Sequence, residues 1–366
     1  MIGRLENLAC RSAFTNHALE CPYETTQERL LATVLMASES QLIESIRKRF
    51  LSSRIKQLIK DGLRVGMGDD AAVLRPRSDS EWLITTDAFL ENVHFLREIH
   101  EPFAVGYKAL ARATSDIAAM GARPQYFFLT LGLPESCTEK WFDGFTKGMA
   151  RAAREFGLVL AGGDTTKYPE VIITLTVVGE SKRERAILRS GAKPGDLLCV
   201  SGRLGEAELG LRLIQHKTQN QKRWPKLVEK HFYPQPRLAL GQWLASHQYA
   251  SSMIDTSDGF STDLNHICKA SGVGARVWTE KIPSVHVPPE LSALKLNPRS
   301  LALHGGEDYE LLFTVPKKFS GRLPSKLGQV PVTVIGEITR KKKVILVGAD
   351  GRTMPLKPLG WDPFRR

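Results

Sequence analysis

The chain has no C-x-x-C pair, and its five cysteines (Cys10, Cys21, Cys137, Cys199, Cys268) are isolated and odd in number. That spacing argues against a zinc site or a disulfide framework and fits a reducing compartment. No apolar stretch approaches the roughly 18–20 residues needed to span a bilayer. The run Leu30–Ala37 starts late and follows several acids, which argues against a signal peptide. The expectation is a cytoplasmic protein with no membrane partner. The common nucleotide fingerprints are missing as well: no G-x-x-x-x-G-K-[ST] loop, no G-x-G-x-x-G after a strand and no protein-kinase catalytic loop. No Ser-His-Asp or Cys-His constellation presents itself by sequence.

A net charge of +12 and a pI near 9.5 invite a nucleic-acid reading. The basic residues are nevertheless spread out, apart from Arg340–Lys343 and a looser cluster from Lys217 to Lys230, and no nucleic-acid motif accompanies them. Small anionic ligands fit the charge better, because a positive field draws them in. At 366 residues, with 42% hydrophobic and 25% charged residues, the chain reads as an ordinary globular protein of two domains.

Hydrophobic periodicity supplies the elements. Residues 1–38 show no clear strand and no acidic cluster, and are read as an atypical extension. A helix is expected from Gln41 to Gly62, strands over Ala71–Leu74 and Trp82–Thr86, and a helix from Pro102 to Met120 closed by Gly121. A strand over Tyr126–Leu131, a helix over Glu139–Phe156 and strands at Leu158–Leu160 and Val171–Val178 complete a first α/β unit, 39–185. In the second unit, 186–366, the turn RSGAKPGD leads to a strand at Leu197–Val200 and a helix at Glu206–Ile214. The polar stretch 216–231 reads as a surface loop or insertion. Helices at Pro236–Ala245 and Phe260–Ala270 and strands near Ala275–Trp278, Glu310–Val315, Val332–Glu337 and Val344–Val347 follow.

Six acidic segments, most flanked by glycine, punctuate this basic chain: GMGDDAAVL, TTDAFLENVHF, TSDIAAMGA, AGGDTTK, IDTSDGFSTD and HGGEDYELLF. Glycine lets a ligand approach the backbone closely, and carboxylate, hydroxyl and carbonyl oxygens are what hard divalent cations take. Each segment also has an ordinary explanation. Asp69 and Asp70 suit a turn, Asp87 suits a helix cap, and Asp255 and Asp258 suit an Asx turn and N-cap. Asp116 is harder to dismiss, because it sits in a helix of small apolar residues where an unpaired carboxylate is expensive, unless Arg112 at i−4 pairs with it. Together the segments favour metal ligands that hold a polyphosphate.

In this order, GDDAAVL, TTD…NVHF, SDIAAMGA, GGDTT, RSGAKPGD, DTSDG and GGEDYEL resemble the thiamine-monophosphate kinase family of the aminoimidazole ribonucleotide synthetase-like superfamily, from about Ser40 to the C-terminus. The resemblance implies an α/β (α+β) fold of two domains, a homodimer whose first domains form a shared β-structure, and ATP with several Mg2+ ions in a cleft. It implies Asp70, Asp87, Asp116, Asp164, Asp255 and Asp258 as metal ligands, with Thr85 and Thr86 adding oxygens. Gly163, Arg189 and Ser257 would contact ATP, and His94, Glu307 and Trp361 would line the thiamine phosphate pocket. No residue is expected to act as a general base. Selenophosphate synthetase, a superfamily alternative, is disfavoured because Cys10 and Cys21 stand in the extension without a glycine-rich loop.

Overall fold

The computed structural model describes residues 39–50, 62–67, 71–216 and 224–364. The extension 1–38, Asp70 and the second half of the expected helix 41–62 lie outside the described residues.

The first half of the chain is a helix pair on a four-stranded sheet. After helix α1 (Glu39–Phe50) and the short hairpin β1–β2 (Leu63–Val65, Val73–Leu74) come β3 (Ser80–Leu90), α2 (Pro102–Ala119), β4 (Arg123–Leu133), α3 (Glu139–Phe156), β5 (Val159–Lys167) and β6 (Ile172–Lys182). The sheet order is β3-β6-β4-β5, antiparallel except for the parallel pair β4–β5. Two-residue alternation sends Leu83 and Phe89 of β3, and Ile173, Leu175 and Val177 of β6, into a core shared with the helices. Pro102 opens α2 at its first turn, and Thr138 caps α3 by accepting from the Trp141 N–H. Helices α2 and α3 touch through glycine. A Cβ on Gly106 would stand 2.0 Å from the Phe145 carbonyl oxygen, and one on Gly148 1.9 Å from that of Phe103.

The second half is a larger sheet with helices against it. Its elements are β7 (Leu197–Ser201), α4 (Glu206–Gln215), α5 (Pro225–Phe232), α6 (Leu238–His247), β8 (Ser252–Asp255), α7 (Phe260–Ser271), β9 (Gly274–Trp278), α8 (Pro298–His304), β10 (Leu311–Val315), β11 (Lys326–Leu327), β12 (Val330–Thr339), β13 (Val344–Val347) and β14 (Thr353–Pro355). The order is β14-β13-β9-β12-β7-β10-β8, with β11 paired to β12. Helix and sheet are thus mixed in both halves, as expected for the two-domain α/β (α+β) class.

One departure from expectation bears on the site. The stretch read as a loop carries helix α5, because Val228 and His231, three residues apart, turn one face inward beneath a polar exterior. Trp224 and Leu227 join that face in a small core with Leu209 and Leu213 of α4.

Candidate active site

Helix α2 is the spine of the site. It is buried along most of its length and, besides Thr114, which donates back to the Leu110 carbonyl, carries four polar side chains towards the site: Lys108, Arg112, Ser115 and Asp116. The last two are adjacent and reach in different directions. The Asp116 carboxylate accepts a hydrogen bond from Thr85 Oγ1 of β3 at 2.6 Å, and Ser115 Oγ donates to Asp255 Oδ2 at the end of β8 at 2.6 Å. One turn of helix therefore ties an edge strand of the first sheet to an edge strand of the second.

Carboxylates converge there faster than positive charge does. Asp255 is 2% exposed, and its carboxyl is pushed up to about 7, first by burial and then by the neighbouring Asp116. Asp87 is raised by burial, against the opposing pull of Arg112, and Asp116 adds to the rise. Burial also raises Asp258, offset in part by His266, Arg112 and Arg189. Asp263 is raised by burial and then by Asp255 and Asp258, while it accepts the Gly259 N–H at 3.0 Å at the entry to α7. Burial and mutual repulsion hold these acids above their ordinary range, and carboxylate oxygens are donors that hard divalent cations accept. Among the described residues, no three Asp, Glu, His or Cys side chains already stand in coordinating geometry. Hydroxyl and guanidinium partners hold them instead.

Two partnerships differ from those read in the sequence. Arg112 approaches Asp87 at 3.5 Å rather than pairing with Asp116 at i+4, and the Asp116 carboxylate accepts from Thr85 instead. Thr86 does not join the cluster through its hydroxyl. The two-residue period of β3 turns it to the outer face, where its Oγ1 meets Thr176 Oγ1 at 3.0 Å.

A cavity opens beside the carboxylates and brings together His94, Arg112, Ser257, Asp258, Glu307 and Trp361. His94 Nδ1 accepts the Leu90 N–H at 3.0 Å, so the ring is the neutral tautomer with Nε2–H free to donate. Burial, then Arg112, push its pKa down to about 4. Trp361 is anchored by its backbone N–H to the Asp258 carbonyl at 2.7 Å, and Gly360 admits that approach, since a Cβ there would lie 2.1 Å from the same oxygen. Glu307 and Tyr309 both have left-handed backbone, φ 67° and 51°, a strained choice for residues with side chains. The Glu307 N–H to the Ser257 carbonyl (2.8 Å) and the Tyr309 N–H to the Thr256 carbonyl (3.0 Å) hold the turn in place.

Behind Glu307 lies a buried polar chain. Lys108 Nζ meets the carboxylate at 2.8 Å, His231 Nε2 stands 3.2 Å from Nζ, and His100 Nε2 lies 3.3 Å from His231 Nε2. Burial would raise the Glu307 carboxyl, but Lys108, His231 and Arg112 outweigh it and hold it at about 2.

Gly163 and Asp164 sit elsewhere. They line a second cavity of about 530 Å³ with Gly66, Met67, Ala71 and Phe128, and the two cavities share no lining residue. Gly163 has no room for a side chain, since a Cβ would lie 2.0 Å from the Leu129 carbonyl oxygen. Arg189 is exposed in the segment before β7.

Lys108, Arg112, His231, Tyr309 and Asp263 were not singled out as site residues by sequence. For Lys108 and Arg112 the signal was present: each is a charge in the same small-residue helix that drew attention to Asp116.

Comparison with known proteins identifies the family. Residues 68–181 match the AIR synthase related protein, N-terminal domain, and residues 193–348 match the AIR synthase related protein, C-terminal domain. Thiamine-monophosphate kinase of Escherichia coli strain K12 is 39% identical over 339 residues, covering 90% of this chain and 99% of that protein. Among solved structures, the thiamine-monophosphate kinase from Stenotrophomonas maltophilia K279a is 36% identical with a TM-score of 0.73, covering 86% of this chain and 97% of that one. AaThiL complexed with AMPPCP and TMP is 31% identical with a TM-score of 0.70, covering 94% and 100% of the two chains.

Proposed function

Because this chain belongs to the thiamine-monophosphate kinase family, we propose that its acidic cleft transfers the γ-phosphoryl group of ATP to the phosphate of thiamine monophosphate, giving thiamine diphosphate and ADP. The chain is a phosphotransferase with a phosphate acceptor. The observation that best supports the assignment of groups is the meeting in one cavity of His94, Glu307 and Trp361 beside Ser257 and Asp258.

An acceptor phosphate has a second pKa of about 6 and is largely ionised at neutral pH, so no side chain need remove a proton. Transfer is then a problem of alignment and charge repulsion. Thr85 and Ser115 fix the Asp116 and Asp255 carboxylates by donating to them. Lys108 keeps Glu307 ionised, so that it offers a fixed negative partner to the cationic, amine-bearing rings of the acceptor. The Trp361 ring supplies a face for the same rings, and His94 supplies an Nε2–H donor.

Asp87, Asp116, Asp255 and Asp258, together with Asp70, Asp164 and Thr85, would hold Mg2+. Thr86 would contribute only its backbone carbonyl. When bound, the metal would supply positive charge that neutralises the phosphates of ATP. Gly163, Arg189 and Ser257 are the proposed ATP contacts. The reading includes a homodimer, a division of the chain at 185/186 and a cytoplasmic setting. The last is supported by Cys137, Cys199 and Cys268, which are buried and unbridged. Among the described residues no helix is long and apolar enough to cross a membrane.

The test is direct. Purified protein incubated with ATP, Mg2+ and thiamine monophosphate is expected to form thiamine diphosphate without releasing thiamine. Phosphorylation of thiamine itself, or no product, refutes the reading.

A further inference from the structure

Arg112 stands between the two parts of the site. It lies one helical turn before Asp116 on α2 and lines the cavity that holds His94, Glu307 and Trp361. Phe89 covers one face of its guanidinium at 4.9 Å. Asp87 engages it only loosely, with Nε–Oδ2 and Nη2–Oδ1 both at 3.5 Å, the outer limit of a hydrogen bond. Nε and Nη1 are buried and have no hydrogen-bond partner among the described residues. A buried cation with unmade donors is costly, and here it is retained at a cavity wall rather than folded away.

The fork of a guanidinium matches the oxygens of a phosphate, which it binds through two parallel hydrogen bonds. Neighbouring cations are differently placed. Lys108 is 1% exposed and committed to Glu307, and Arg189 is exposed. A monophosphate ester with its rings between Glu307 and Trp361, and its phosphate turned towards Asp87 and Asp116, would pass the guanidinium. We propose that Arg112 binds the phosphate of the acceptor and makes this site select a phosphorylated substrate over its dephosphorylated form. The inference rests on the proposed kinase function. In the reaction an acceptor phosphate oxygen forms a bond to the γ-phosphorus as the bond from that phosphorus to the β-bridging oxygen breaks. Arg112 offsets the acceptor's charge throughout and exchanges no proton.

The experiment compares wild type, Arg112→Lys and Arg112→Gln. Calorimetry measures affinity for thiamine monophosphate and for thiamine, and steady-state kinetics measure KM for both substrates. Arg112→Gln is expected to weaken thiamine monophosphate binding by about 10- to 100-fold, leave thiamine affinity and KM for ATP within about threefold, and be partly rescued by Arg112→Lys. A merely structural role would lower both affinities together, and that result overturns the inference. So does an unchanged ratio of the two affinities in Arg112→Gln or, if that variant fails to fold, in Arg112→Lys. Wild type that makes no thiamine diphosphate refutes the kinase reading and the inference with it. Wild type that turns over while the ratio is unmoved in the variants refutes the Arg112 assignment alone.

Discussion

Lys108 and Glu307 form an ion pair at 2.8 Å in which the ammonium is 1% exposed and the carboxylate 25%. The two groups come from opposite halves of the chain, so the pair fastens helix α2 to the turn that lines the acceptor cavity. Burial depresses Lys108, and the carboxylate beside it opposes that shift. Removing one partner of such a pair strands the other.

Lys108→Met is therefore expected to destabilise the protein by about 2–4 kcal/mol, below the full value for a buried pair because Glu307 is partly exposed. The double variant with Glu307→Gln should recover part of that loss. Denaturant unfolding of both singles and the double checks this, and simple additivity would sink it. In the single variant the Glu307 carboxyl should also move up from about 2.

Asp255→Asn should separate stability from activity. The folded carboxyl, pushed up to about 7, lies above its unfolded value of 3.8, so the folded state binds the extra proton and stability falls as pH rises through that window. Asparagine keeps the Ser115 hydrogen bond and removes the repulsion from Asp116. In metal-free buffer above pH 7 the variant should be more stable than wild type by about 1–3 kcal/mol, while turnover falls by orders of magnitude. Mg2+ should raise the wild-type melting temperature and move that of the variant much less. A variant that loses stability without metal, or keeps its activity, contradicts the placement of Asp255 in the cation site.

The imidazoles give the opposite sign. Burial, then Arg112, lower His94 to about 4. Burial, then Lys108, lower His100 to about 4 and His231 well below its ordinary value. A depressed folded pKa means that the unfolded chain takes up protons first, so stability is complete above about 6.5 and falls as pH drops towards 4. The raised carboxyls of Asp87, Asp258, Asp263 and Asp308 act the other way over the same range, so the imidazole share is read by difference. Between pH 7.5 and pH 5 the stability of Asp255→Asn in urea unfolding should fall by about 1–2 kcal/mol relative to that of Asp255→Asn with His100→Gln, and an equal change in the two would refute the buried-imidazole explanation.

Residues 80–182 were the most legible part of the chain, because alternating strands and a helix bounded by Pro102 and Gly121 carry strong local signals. Helix Glu139–Phe156 lies within the bounds its periodicity gives. The strand Ser252–Asp255 did not announce itself, since four buried residues, SMID, are too short to show a period. Helix α5 was hidden for the reverse reason: in a basic octet only Val228 and His231 are buried, with Leu227 and Phe232 half-buried beside them. At the site, Asp116 was legible as a charge in an apolar helix, while the two-residue strand period turns the Thr86 hydroxyl outward and leaves it only a backbone oxygen to offer. The chain Lys108–Glu307–His231 joins residues 199 and 123 positions apart through Lys108, and no local pattern encodes that.

The outer face of the first sheet carries the remaining prediction. Strand β3 turns Leu83 and Phe89 to the helices and Ile84, Thr86 and Ala88 outward, with Ile84 66% exposed. Thr176 of β6 and Thr130 of β4 continue that face. One exposed isoleucine is ordinary. A sheet face with a helix layer behind it and a row of small and β-branched residues in front is the surface that a second sheet covers. If the homodimer forms through this face, Ile84→Asp buries a carboxylate in its middle and should raise the dimer dissociation constant by at least about 100-fold. Each protomer should keep its fold, since the side chain contributes nothing to the inner core. Sedimentation of wild type and variant over a range of concentrations checks this, with circular dichroism as the control for folding. A dimer that survives Ile84→Asp would place the interface on another surface, and a wild-type protein monomeric at every concentration would remove the homodimer altogether.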